Sequence, residues 1–238
     1  MKSRGLCLLG TDTAVGKTTV ATGILRLATR SQQPMFPFKP VETGCLQIPT
    51  DGDRLVAAAE GKLPPSDVTL YRFPDPLAPS IAARLAGEPI DLLRILDHAR
   101  RLLASTASPA LLVESAGGVL TPYGYGLTSA SLIQSIASEF GFDVLLVSAN
   151  RLGTISQTAL ALDHLSRAGC RVAGVVLVNV SAAPSPDQPY NAAEIHALTR
   201  ARILGTLRYC PDGDPDRIAD ALAADVDLRP LLGGALSA

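Results

Sequence analysis

The sequence predicts an α/β fold of three layers, a mainly parallel sheet with helices on both faces. Three observations predict it. Short apolar runs without polar alternation recur along the chain, as strands buried on both faces require. Amphipathic stretches with helical spacing separate those runs, so the connections are crossovers and the strands run parallel. A Gly-rich loop stands where the first run ends and the first helical stretch begins, which is where a helix N-terminus can meet an anion.

The first apolar run is Leu6 to Leu9, and a helical pattern occupies Thr18 to Thr29. A weaker strand is expected at Met35 to Lys39, and a helical segment follows Asp53. The Pro-rich stretch from Leu63 to Ser80 reads as a long surface loop. Leu92, Leu93, Leu96, Ala99, Leu102 and Leu103 then repeat at helical spacing between Ile90 and Ser105. Further buried strands are predicted at Ala110 to Val113, Val144 to Val147 and Val172 to Val178, with helices at Thr128 to Phe140 and Thr154 to Ala168. A second Pro-rich loop is expected at Ala183 to Pro189, then a weaker strand at Arg202 to Leu207 and a helix near Asp214 to Ala223. Composition does not change along the chain, so residues 1–238 are expected to form one domain.

Charge and composition exclude several function classes. The 238 residues are 47% hydrophobic and 18% charged, which suits a folded core rather than disorder. A formal net charge of −1 gives no electrostatic reason to expect nucleic acid or a membrane surface as partner. The basic N-terminal residues precede an apolar stretch too short for a signal peptide, and no apolar run reaches the ~20 residues of a membrane span. Cys7, Cys45, Cys170 and Cys210 are scattered without zinc-site or disulfide-framework spacing. A soluble, cytoplasmic protein acting on small molecules is expected. His98, His164 and His196 lie in helical patterns without a pairing that suggests a metal or a triad.

The sharpest motif is Gly10-Thr11-Asp12-Thr13-Ala14-Val15-Gly16-Lys17-Thr18-Thr19. Backbone N–H groups from Thr13 through Thr19 can wrap a polyphosphate, Lys17 can reach the outer phosphates, and the Thr18 hydroxyl can meet Mg²⁺. The fold is therefore P-loop NTPase-like and the nucleotide is expected to be Mg·ATP. The spacing departs from G-x-x-x-x-G-K-[ST], which puts glycine at position 11; here the glycine is Gly10.

Glu114 follows an apolar run, so its carboxylate belongs at the carboxyl end of a central strand, where parallel sheets place ligands. Asp53, before a helical segment, is a candidate to share Mg²⁺ with Thr18 and Glu114, and equally a candidate helix cap. Lys39 by itself reads either as a site cation or as a surface lysine before Pro40.

Together these segments resemble the ATP-dependent dethiobiotin synthetases. The loop string G-T-D-T-x-V-G-K-T is joined by Phe38-Lys39-Pro40-Val41-Glu42-Thr43-Gly44, similar to the family's K-P-V-x-[ST]-G, and by Val113-Glu114-Ser115-Ala116-Gly117-Gly118, similar to V-E-G-A-G-G. Leu152-Gly153-Thr154-Ile155 and Val178-Asn179 follow in family order.

The resemblance implies an ATP-dependent ligase that joins CO₂ to 7,8-diaminopelargonate in biotin formation, through a carbamate and a carbamic–phosphoric anhydride. It implies Lys39 and Lys17 as catalytic cations, and Glu114, Ser115, Ala116, Gly117 and Asn179 as nucleotide-site residues beside the loop. Thr43 and Gly118 are implied at the diamine, and Gly153, Thr154 and Ser156 at its carboxylate, across a homodimer interface. Ala14, Ser80, Ser115, Ser156, Val180 and Arg208-Tyr209 depart from the commoner family pattern. Two other readings compete: a related ATP-dependent amidoligase, and a non-catalytic dimerisation switch driven by ATP.

Overall fold

The structure, a computed structural model, describes residues 4–33, 35–61, 63–105 and 110–232; the first three and last six residues of the expected domain lie outside these. The chain runs β1 (Arg4–Gly10), α1 (Lys17–Arg30), β2 (Phe36–Phe38), β3 (Val41–Thr43), α2 (Asp51–Ala58), α3 (Pro65–Val68), β4 (Tyr71–Phe73), α4 (Pro79–Ala86) and α5 (Leu92–Ala104). It continues through β5 (Ala110–Gly118), the short hairpin β6 (Pro122–Gly124) and β7 (Leu127–Thr128), and α6 (Ser129–Phe140). β8 (Asp143–Ala149), α7 (Thr154–Arg167), β9 (Val172–Val178), α8 (Gln188–Thr199), β10 (Ile203–Leu207), α9 (Pro215–Asp225) and α10 (Arg229–Leu232) complete it.

Six strands form one sheet in the order β10-β9-β8-β1-β5-β2, and its pairings are parallel. Alternation along each strand divides the apolar side chains between two cores. Cys7, Leu9, Val113, Leu146 and Leu177 face the core covered by α4 to α8, whereas Leu6, Leu8, Leu112, Leu145 and Val176 face the core shared with α1, α2 and α9. Burial on both faces is why these strands read as continuous apolar runs.

The helices begin where side chains satisfy their free amides. Asp91 accepts from Leu93 N, Thr128 forms a capping box with Ser131, and Asp214 accepts from Arg217 N. The three-layer α/β expectation holds. Two expected loops do not: residues 63–80 contain α3, β4 and the start of α4, and α8 begins inside the second Pro-rich stretch. β4 has three residues, too few to show a period, and is held by parallel pairing with β3 and by burial of Tyr71 and Phe73. Pro189 sits in the first turn of α8, where its missing N–H costs nothing. Among the described residues, no helix is long and apolar enough to cross a membrane.

Candidate active site

A cavity of about 450 Å³ opens at the carboxyl edge of the sheet, beside the β1–α1 loop. β1 lies between β5 and β8, so the chain leaves it at a point where successive strands go to opposite sides. Ligand clefts form there in open parallel sheets. Thr13, Ala14, Gly16, Lys17, Thr18 and Thr19 line the cavity from the loop and the first turn of α1. Gly16 has φ 94° and a Cβ there would come within 2.7 Å of Val178, so both backbone conformation and space require glycine. A Cβ at Gly10 would lie 2.7 Å from Lys17 Nζ and 2.9 Å from the Asp12 carbonyl. The displaced glycine of the motif is thereby explained: it lets the Lys17 side chain fold back across the end of β1.

Four charged side chains meet behind the loop. Lys39, immediately after β2, is 3% exposed and donates to Glu114 Oε1 at 2.5 Å and to Asp51 Oδ2 at 2.8 Å. Glu114 is completely buried and also accepts from the Thr18 hydroxyl at 2.8 Å. Its Oε2 is buried without a hydrogen-bond partner. Lys17 Nζ lines the same cavity and donates to the Asp12 carbonyl at 3.0 Å.

Burial opposes the charge on each lysine, and the neighbours decide the outcome. For Lys39 burial pushes downward, but Glu114 and Asp51 outweigh it and hold the ammonium above its ordinary value. Lys17 is lowered to about 8, chiefly by burial, with Glu114 pulling upward and Lys39 adding repulsion. The same exchange holds Asp51 below the usual carboxylate range, because Lys39 overcomes the effect of burial.

The structure brings Lys17, Lys39, Thr18, Glu114, Thr43, Ala116, Gly117 and Asn179 to this one cavity. It places other candidates elsewhere. Asp53 is the N3 residue of a capping box: its Oδ2 accepts from Thr50 N at 3.0 Å, and Thr50 Oγ1 accepts from Asp53 N at 3.2 Å. The acid that faces Lys39 is Asp51, two positions earlier. Val15 is 1% exposed and packs its side chain into the core under α1 and α2. Ser115 points away from the cavity lining, with its Oγ buried and unpartnered. Gly118 stands where a Cβ would meet the Thr11 carbonyl at 2.9 Å, so it packs β5 against the loop rather than lining the cavity.

Gly153, Thr154 and Ser156 lie at the start of α7, outside the cavity. Gly153 and Ser156 are exposed, but Thr154 is fully buried: its hydroxyl bonds Ser148 at 2.8 Å and its amide donates to Arg151 at 3.0 Å. Its polar groups are thus committed within the chain.

Sequence reasoning missed Glu42 as well as Asp51. Glu42 lines the cavity, is 4% exposed, and accepts from Asp51 N at 2.6 Å and Gly52 N at 3.2 Å. With Thr50 capping Asp53 N, the first amides of α2 are all satisfied, which fixes the helix end that carries Asp51. At the opposite end the cavity is bounded by Val178, Asn179, Val180, Arg208, Tyr209 and Cys210.

A family profile described as an AAA domain matches residues 4–217. An ATP-dependent dethiobiotin synthetase of Anaeromyxobacter dehalogenans is 40% identical over 210 residues, 88% of this chain and 92% of that protein. The chain belongs to the ATP-dependent dethiobiotin synthetase family. The corresponding synthetase of Bacillus licheniformis is 30% identical over 231 residues, 96% of each chain.

Among solved structures, the MinC:MinD cell division complex of Aquifex aeolicus matches with a TM-score of 0.59 at 15% identity, covering 93% of this chain and 95% of that one. A ParA family ATPase from Chlorobium tepidum matches with a TM-score of 0.54 at 12% identity, covering 99% and 98%. At such identities these neighbours bear on the fold alone. Family membership supports ATP use by this chain.

Proposed function

We propose that this chain carboxylates 7,8-diaminopelargonate with CO₂ and closes the ureido ring to dethiobiotin, converting ATP to ADP and phosphate. The observation that carries this reading is the convergence of Lys17, Lys39 and Glu114 on one cavity at the phosphate loop. In the reaction a substrate amine adds to CO₂ and loses a proton, giving a carbamate. A carbamate oxygen attacks the γ-phosphorus and ADP leaves. The second amine then attacks the carbamoyl carbon, closing the ring as phosphate departs and the nitrogen gives up its proton.

The physical difficulty is that an anionic carbamate must approach an anionic triphosphate. Fixed positive charge in a water-poor cleft lowers that barrier without reorganising during the reaction. Lys39 is held in place by two carboxylates and Lys17 is set at the loop mouth, so both ammonium groups are positioned before substrate enters. Thr43 offers a hydroxyl to the carbamate or diamine. The loop amides and the first turn of α1 bind the phosphates.

The residues present also suit Mg²⁺. Glu114 Oε2 is buried and unbonded, the Thr18 hydroxyl adjoins the same carboxylate, and Asp51 faces it across Lys39. Thr18, Asp51 and Glu114 would hold the ion together with phosphate oxygens, and it would supply further charge neutralisation there. The carboxylate tail of the diamine is assigned to Gly153 and Ser156 at the exposed start of α7, in a homodimer. Leu152, 84% exposed beside them, suits coverage by a second copy.

The test is ADP release by purified protein given ATP, Mg²⁺, bicarbonate and diaminopelargonate. Release should depend on the diamine; hydrolysis that ignores it would sink the proposal.

A further inference from the structure

Beyond the phosphate end lies a chain of carboxamides that the chemistry so far leaves unused. Asn150, following β8, and Asn191, in α8, are each 2% exposed, and Asn179, following β9, lines the cavity. Asn191 Nδ2 donates to Asp187 Oδ2 and to Asn150 Oδ1, both at 2.8 Å. Asn150 Nδ2 donates to Asn179 Oδ1 at 2.9 Å and lies 3.5 Å from the Gln188 carbonyl. The backbone of Asn150 is held as well, its N–H donating to Val178 O at 2.7 Å and its carbonyl accepting from Gln188 Nε2 at 3.1 Å.

The two ends of a carboxamide have nearly the same shape, so each amide alone could face either way. A carboxylate can only accept. Asp187, held below the ordinary carboxylate range by Ser185 and Asn191, therefore faces the NH₂ end of Asn191. The second hydrogen of that NH₂ group requires the oxygen of Asn150, which turns the NH₂ of Asn150 towards Asn179. The Gln188 carbonyl, another pure acceptor, lies at the 3.5 Å limit of a hydrogen bond and adds only a weak bias in the same direction.

We propose that Asp187, Asn191 and Asn150 form a one-way relay of positioning residues that locks the Asn179 carboxamide with its oxygen towards Asn150 and its NH₂ away. This rests on the reading that the cavity binds an adenine nucleotide. Asn179 then offers the base an acceptor and a donor in fixed order, since Oδ1 keeps one lone pair free. The N6–H and N7 edge of adenine complements such a pair, whereas guanine presents two acceptors along the same edge. Selection of the base is thus set three residues away from it, by a carboxylate that does not line the cavity.

The experiment is calorimetric titration of the Mg²⁺ complexes of ATP and GTP, and of tripolyphosphate, into the wild-type protein, Asn150→Asp and Asp187→Asn. Asn150→Asp removes the donor to Asn179, and its ATP-over-GTP preference should fall about tenfold with tripolyphosphate affinity unchanged. Asp187→Asn lets the relay run in either direction and should lower the preference about threefold; it decides the matter alone if Asn150→Asp fails to fold. A preference within about twofold of wild type in Asp187→Asn, or equal wild-type affinity for ATP and GTP, would overturn the relay. Diamine-dependent ADP release, measured separately on wild type, reports on the parent reading: turnover with an unmoved preference refutes the relay alone.

Discussion

Replacing Lys39 with Met should destabilise the protein by an amount set by what the lysine leaves behind. Asp51 is 42% exposed at its side chain and can turn to water, but Glu114 is 0% exposed and cannot. Its carboxylate would keep only the Thr18 hydroxyl, with Oε2 already unpartnered. Removing one partner of a buried pair typically costs about 3–5 kcal/mol, because the other charge stays desolvated. For a chain of this size that corresponds to a fall in melting temperature of roughly 6–20 °C. Urea unfolding of Lys39→Met, Glu114→Gln and the double variant would measure the coupling directly. The double variant should be more stable than Lys39→Met by about 2 kcal/mol, since a neutral amide replaces the stranded carboxylate. A Lys39→Met protein within about 1 kcal/mol of wild type, or strictly additive effects, would refute the reasoning that Lys39 is the counter-charge of Glu114.

Binding of ATP at pH 8 should take up about half a proton per site, because Lys17 titrates near that pH in the free cavity and a triphosphate favours its charged form. Affinity should therefore weaken as pH rises through 8; identical binding heats in buffers of different ionisation enthalpy would contradict this. The two aspartates of the α2 start should separate cleanly: Asp51→Ala should abolish Mg²⁺-dependent turnover. Asp53→Ala should cost about 1 kcal/mol of stability and retain activity, as loss of a cap predicts. Full turnover in Asp51→Ala would overturn that division. Gly10→Ala should displace the Lys17 side chain and weaken ATP binding about tenfold or more, measured by fluorescent-nucleotide competition; unchanged affinity would show that the lysine is free to move.

What the sequence revealed follows the length scale of each signal. The six sheet strands were legible as apolar runs, and α1, α5, α6, α7 and α9 as helical periodicity extending over many residues, whereas α3, the start of α4 and the start of α8 fell in Pro-rich stretches read as loops. β3, β4 and the β6–β7 hairpin were not legible, since two or three residues carry no period and pairing is decided by tertiary contacts. The phosphate loop was readable from local spacing, and Lys39 and Glu114 from motifs at strand ends. Choosing Asp53 over Asp51 neglected a local rule. Thr50-x-x-Asp53 has capping-box spacing, which engages Asp53 and leaves Asp51 facing the cavity. Glu42 offered no such cue, because a carboxylate in a three-residue strand gains meaning only when β3 brings it to the first amides of α2. Thr154 shows the converse, a motif residue whose hydroxyl is consumed by Ser148.

The strand order carries a further consequence. The cations and acids of the phosphate end are borne by β1, β2, β5 and the segment around α2, while Asn179, Arg208 and Tyr209 come from the ends of β9 and β10 at the opposite border of the sheet. If that border meets the base, as proposed above, substitutions along it would retune which base is welcomed while the Lys39–Glu114 pair, three strands from β9, stays in place. On that reading the architecture would separate the choice of fuel from the use made of it, and let each drift on its own.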